Sequence, residues 1–232
     1  MKAAARKGLV IALAAALSSS AARADEQQNL VDRARITLDS FIDAPAMGEM
    51  RELMARARAV LVIPQMLKAG FVVGGAGGSG VLLARDPKAD DWSEPAFYTL
   101  GAGSVGLQIG ASASEVVMVV LTERGLDAIL KNKVKLGADL SAAAGPVGVG
   151  AGAAATSNLN VDVVSFSRNK GLFAGVSLEG AVLYPRAAWN QKYYGRVVTP
   201  ANIVEKGLVR RDGATPLRQA VRRFAEPPRR GS

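Results

Sequence analysis

Between Ala59 and Leu183 the chain is a succession of short β-branched runs broken every few residues by glycine, a texture of strands and tight turns. The runs are Val60 to Ile63, Gly70 to Val73, Gly80 to Arg85, Ala96 to Leu100, Ser104 to Ile109 and Glu115 to Thr122. A short helix is predicted at Arg124 to Leu130, then strands at Val134 to Leu140, Val147 to Ala153, Val161 to Ser167 and Leu172 to Leu183. So close a spacing predicts one bent antiparallel sheet, a sandwich or a barrel. Pro64 is expected to end the first run, because proline has no N–H for the ladder.

Helical periodicity frames this region. Leu30, Ala34, Leu38 and Phe41 recur at three to four residues, with Asp32, Arg33, Arg35 and Asp39 between them. A second helix is predicted from Gly48 to about Arg58, with Met50, Leu53, Met54 and Ala57 on one face. Further helices are expected at Ala187 to Tyr193 and Ala201 to Lys206. A last one is capped by Thr215 with Pro216 in its first turn, and Leu217, Ala220, Val221 and Phe224 form its stripe. The expected class is α+β, a strand-dominated single domain with helices at both ends. A transmembrane β-barrel fits poorly, since it needs strands of about 9 to 11 residues with aromatic girdles, and aromatics make up 5% of the chain.

The N-terminus reads as a cleavable export signal. Lys2, Arg6 and Lys7 precede an apolar run from Gly8 to Leu17, and Ala22-Arg23-Ala24 supplies a small-x-small cleavage site. The run is about half the ~20 residues that cross a bilayer. Cleavage near Ala24 and a periplasmic or secreted location are expected. With no cysteine in the chain, a lipoprotein anchor is chemically excluded. Residues 1 to 24 carry four basic and no acidic residues, so their removal lowers the net charge from +9 to +5. Residues 205 to 232 hold eight basic against three acidic residues, which accounts for that remainder. The expected segments are the signal (1 to 24), a helical lead (25 to 44), the main domain (45 to 205) and a basic tail (206 to 232).

Absent residue types narrow the chemistry. Without histidine or cysteine, zinc sites built on those ligands, histidine general bases and Ser-His-Asp triads are impossible. Asp139, Asp162 and Glu179 are the carboxylates available for pairing, but their positions imply no geometry, so no catalytic residue, metal site or cofactor is assigned. Gly101-Ala102-Gly103-Ser104-Val105-Gly106 matches the dinucleotide fingerprint, yet Gly106 to Thr122 alternates as a strand where the fingerprint requires a helix. Gly75-Ala76-Gly77-Gly78-Ser79-Gly80 matches equally, as a glycine-rich chain will by chance. The stretch Gly137 to Ala155, almost all small residues, reads as a closely packed hairpin or as a flexible wall beside an acyl chain. Nucleic acid is not an expected partner, because no basic face with stacking aromatics remains once the signal is gone. The last helix can lie on an anionic membrane surface or dock on the domain; its periodicity permits both.

The ordered run of segments resembles the SYLF domain, also described as the actin-binding domain of yeast actin-patch proteins. The matching stretches include Val62-Ile63-Pro64, Lys68-Ala69-Gly70-Phe71, Trp92-Ser93-Glu94-Pro95-Ala96-Phe97-Tyr98, Gly103-Ser104-Val105-Gly106-Leu107-Gln108-Ile109-Gly110, Ser165-Phe166-Ser167-Arg168, Gly171-Leu172-Phe173-Ala174-Gly175 and Tyr193-Tyr194-Gly195. The resemblance implies a non-catalytic module that binds membrane lipids, with phosphoinositides and actin as partners in eukaryotic members. It also places an amphipathic, lipid-contacting helix at Met50 to Arg58. An exported chain meets neither eukaryotic partner, so the expected one is an anionic phospholipid or membrane surface. The lipid-binding candidates are Lys68, Arg168 and Lys170, then Arg51, Arg56 and Arg58.

Overall fold

In the computed structural model, which describes residues 26–44, 47–70, 73–86, 91–105, 110–131, 133–145 and 161–226, Pro64 lies inside a strand instead of ending one. The chain runs as helix α1 (residues 26–42), α2 (Gly48–Ala55), β1 (Ala59–Gly70), β2 (Val73–Asp86), β3 (Asp91–Trp92), β4 (Ala96–Val105) and β5 (Gly110–Val120). There follow α3 (Glu123–Lys131), β6 (Val134–Lys135), β7 (Ala142–Ala144), β8 (Val163–Asn169), β9 (Leu172–Gly175) and β10 (Val182–Pro185). Helices α4 (Ala187–Tyr194), α5 (Pro200–Val204) and α6 (Thr215–Ala225) close the described chain. The class is α+β, a curled open sheet with helices at both ends.

One sheet carries the fold, in the order β6-β10-β4-β2-β1-β5-β8-β7, with β3 beside β2 and β9 beside β8. Every pairing is antiparallel except β7 with β8. Both faces of its centre are buried, which is why Val60 to Ile63 and Val116 to Val120 are continuous apolar runs. Leu61, Ile63, Leu82, Tyr98, Leu100 and Met118 face one core, closed by α3 and α5. Val60, Val62, Val81, Leu83, Phe97, Val119 and Phe166 face the other, under α1, α2, α4 and α6.

The proline is accommodated by a β-bulge. Register shifts between Val62 and Gln65 against β2, and between Ile63 and Met66 against β5. Ile63 and Met66 both lie in the first core, so the two residues between them, Pro64 and Gln65, fall together on the opposite face. Gly78 and Gly80 of β2 are what let the bulge close: a Cβ on Gly80 would sit 2.5 Å from the Val62 carbonyl oxygen, and one on Gly78 2.5 Å from that of Gln65.

Beyond the bulge, β4, β2, β1 and β5 continue as a four-stranded ribbon of small residues. Several expectations are corrected here. Gly70 ends one strand and Val73 begins the next, and residues 71 and 72 lie outside the described set. Ala96 to Leu100 and the residues from Ser104 belong to one strand, β4, which runs straight through Gly101-Ala102-Gly103; residues 106–109 lie outside the described set. A strand across the glycines leaves no helix N-terminus for a dinucleotide phosphate. The expected strand Val134 to Leu140 shortens to β6, because Gly137, at φ +83°, turns the chain. Leu172 to Leu183 divides into β9 and β10, separated by a turn at Gly180 with φ +81°. The expected strand Val147 to Ala153 and the signal segment lie outside the described residues.

Candidate functional site

Where the ribbon outruns its helical cover, α1 leaves a groove over the bulge. Two adjoining clefts, of about 550 and 460 Å³, share Arg33, Pro64 and Gln65. The larger is lined further by Ala113, Ser114, Glu115, Arg168, Lys170 and Gly171. The smaller is lined by Glu26, Asn29, Leu30, Leu67, Gly77, Gly78, Ser79 and Trp189. The first is therefore cationic, and the second sets the apolar Leu30, Leu67 and Trp189 beside the polar Glu26, Asn29 and Ser79.

Three elements build the cationic end. Helix α1 buries Val31, Ala34, Leu38 and Phe41, which turns Arg33 outward. The β8–β9 hairpin carries Arg168 and Lys170 and is fastened to α1 by an edge-to-face contact of Phe173 with Phe41 at 5.0 Å. Arg168 is ion-paired with Glu115 and lies over the Phe173 ring at 5.9 Å. Glu115 also accepts the Thr37 hydroxyl at 3.1 Å. Arg168 is thus neutralised in place, whereas Arg33 and Lys170 are exposed and make no hydrogen bond or ion pair among the described residues.

At the second cleft, α4 supplies Trp189. The Arg186 guanidinium stacks on its ring, 3.4 Å from the centroid, and donates to the Ser79 hydroxyl oxygen at 2.8 Å. Leu67 projects from β1 with 54% of its surface exposed, above the side-chain-free floor of Gly77 and Gly78.

The structure brings together two of the six predicted residues, Arg168 and Lys170. Lys68 is exposed on β1 in the same ribbon, but it follows Met66 at the two-residue period and so projects from the face opposite Leu67 and the groove. Arg51, Arg56 and Arg58 do not form one cationic face. Arg51 donates to the Ile42 carbonyl and lies 6.0 Å from the Phe224 ring centroid, Arg58 pairs with Glu123 of α3 at 3.0 Å, and Arg56 is exposed just past the helix end. Helix α2 itself ends at Ala55, and Met50, Leu53, Met54 and Ala57 are at most 1% exposed, so its apolar stripe is core.

The same holds for α6. Leu217, Ala220, Val221 and Phe224 are wholly buried, which settles docking on the domain over lying on a surface. Arg218 clasps the helix to the β3 region, donating to the Trp92 carbonyl at 2.7 Å, Asp91 at 2.6 Å and the buried Glu94 at 3.3 Å. Burial raises the Glu94 pKa, and the Arg218 charge and the Arg211 backbone N–H oppose that rise. Removing residues 207 to 232 would consequently strip the core.

The three carboxylates weighed for catalysis differ in their surroundings. Asp162 is buried within a hydrogen-bond network, Asp139 accepts the Lys135 N–H at 2.7 Å, and Glu179 packs against the turn at Gly137. Among the described residues no cluster of metal-ligating side chains occurs, and no helix is long and apolar enough to cross a membrane. Arg33, Leu67 and Trp189 were not singled out from sequence. Arg33 is one of several charges between the α1 repeats, and only the packed helix shows which of them overhangs the sheet.

Comparison with known proteins adds an independent line. Residues 101–224 match the family model Ysc84, described as Las17-binding protein actin regulator. The bovine SH3 domain-containing YSC84-like protein 1 is 30% identical over 175 residues, covering 75% of this chain and 51% of that protein. Its human counterpart is 31% identical over the same length and shares. LAS seventeen-binding protein 3 of Saccharomyces cerevisiae is 34% identical over 162 residues, 68% of this chain and 35% of that protein. The chain thus spans about half the length of the mammalian relatives it matches.

Proposed function

The chain belongs to the Ysc84 (SYLF) family, and from that premise we propose that it is a non-catalytic binding protein whose ligand is an anionic lipid or membrane surface, acting in the periplasm or outside the cell. The observation that carries this reading is the groove at the bulge. It sets Arg33 and Lys170, which have no partner among the described residues, at one end, and Leu30, Leu67 and Trp189 at the other. Cations and hydrogen-bond donors suit phosphate oxygens, and apolar walls suit acyl chains. Co-sedimentation of the exported protein with vesicles tests it: pelleting with anionic vesicles and much less with neutral ones is expected, and equal pelleting with both, or none, would sink it.

A second reading is a protein-docking module of the cell envelope. The family description and the yeast relative's name refer to Las17 binding, and Val197 and Leu172 stand 78% and 77% exposed outside the groove. A Val197→Ser, Leu172→Ser variant that keeps vesicle binding but no longer retains an envelope protein would favour it.

A further inference from the structure

We propose that the groove holds one molecule of a single-tailed, phosphate-headed amphiphile, with the head between Arg33 and Lys170 and the tail running over Gly77 and Gly78 between Leu30, Leu67 and Trp189. This rests on the lipid-binding reading and narrows it to a lipid withdrawn from the bilayer. The two clefts adjoin along Arg33, Pro64 and Gln65, which line both, so one ligand that crosses these residues can set its head in one cleft and its tail in the other. Each cleft lies within the span of about 300–1,000 Å³ common to small-ligand sites. Three apolar side chains over a glycine floor can cover one alkyl chain; they are too few to cover two. Of the two carboxylates at the groove, Glu115 is held by Arg168 and Thr37, and Glu26 lines the other cleft from the one that Lys170 borders.

The conformation of Lys170 is the second support. Lys170 at φ +48° and Gly171 at φ +81° form the two-residue turn between β8 and β9, with both residues in the left-handed region. Such a turn favours asparagine, aspartate or glycine at its first position, and a lysine there carries a steric cost. No hydrogen bond or ion pair among the described residues offsets that cost. What lysine adds over asparagine is a positive charge on a long arm, delivered to the lip of the cationic cleft.

Lys170→Asn should therefore separate two quantities that a purely structural residue would move together. Titrating the exported protein with 1-oleoyl lysophosphatidic acid below its micelle concentration, and reading Trp189 fluorescence, should give a saturable curve with one site. Lysophosphatidylcholine with the same tail should bind about tenfold more weakly, as should lysophosphatidic acid to Arg33→Gln or Lys170→Asn. Inorganic phosphate should leave Trp189 unchanged. The Lys170→Asn protein should melt about 2 °C higher than the parent. Equal binding of the two lysolipids, competition by inorganic phosphate as strong as by the lysolipid, or unaltered binding by Lys170→Asn would overturn the inference. Anionic vesicle binding without any monomer binding would overturn it alone, and loss of both would take the lipid-binding reading with it.

Discussion

The Asp162 carboxylate accepts the Thr122 hydroxyl at 2.5 Å, and Thr122 in turn accepts the Gly125 N–H at 2.9 Å, so the entry to β8 fixes the first turn of α3. Asp162 also takes the Ser141 N–H at 3.0 Å and hydroxyl at 2.7 Å, and pairs with Arg124. Burial alone would raise its pKa; the Thr122 and Ser141 hydrogen bonds and the Arg124 charge outweigh that and hold it below the ordinary 3.8. A depressed carboxylate stabilises the fold above its unfolded pKa, and the contribution disappears as pH falls through the folded value. Asp162→Ala should cost about 2–3 kcal/mol near neutrality. Urea melts over a pH series should show the gap between parent and variant closing on the acid side, and a gap independent of pH would contradict the assignment.

Glycines in the ribbon differ sharply in what they permit. Gly80→Ala forces a Cβ to 2.5 Å from the Val62 carbonyl oxygen and 2.7 Å from Ile63 Cγ1, and should destabilise by about 1–3 kcal/mol. Gly101 and Gly103 have nothing within 4 Å of a built Cβ, and alanine at either should change stability by no more than about 0.5 kcal/mol. Denaturant titration of the three variants distinguishes the glycines the bulge needs from those of the fingerprint match.

Arg218→Ala leaves Glu94, 6% exposed, without its cation and should cost about 3 kcal/mol. The pH dependence runs opposite to that of Asp162. Glu94 has a raised pKa, so its neutral form is favoured in the fold and stability is lost as pH rises through that value. The deficit should be small in acid and grow towards neutrality. Adding Glu94→Gln should recover part of it, and no recovery would mean that the clasp acts only through Asp91 and the Trp92 carbonyl.

On the proposed location, the mature protein should begin at Asp25. Intact-mass measurement of material from the producing cell should show loss of residues 1 to 24, and an unprocessed mass would remove the basis for the proposed location.

The helices were legible as amphipathic stripes, and the strand texture as a sheet with helices at both ends, because period and turn chemistry are local properties. What covers each stripe is not local. Met50, Leu53 and Met54 read equally as a membrane face or a core face, and only their packing chooses the second. Pro64 misled for a related reason: the bulge that tolerates it depends on Gly78 and Gly80, more than a dozen residues away in sequence. The same bulge separates the cationic candidates. Inserting one residue changes the parity of everything beyond it on β1, so sequence offered no way to know that Lys68 and the Arg168–Lys170 hairpin occupy opposite faces of the ribbon. Arg168 and Lys170 were legible together because they are near neighbours in sequence, one at the end of β8 and the other in the turn that follows it.

The strand order has a bearing on how the protein is made. The first hairpin of the chain, β1–β2, lies at the centre of the sheet; β4 then adds beside β2, β5 beside β1, and β8 and β10 further out on either flank. A polypeptide emerging N-terminus first can build outward from this seed. Only the short outer pieces β6 and β7 break the sequence: each precedes the strand that lies inside it, β10 and β8 respectively, and so waits for that strand before it can pair.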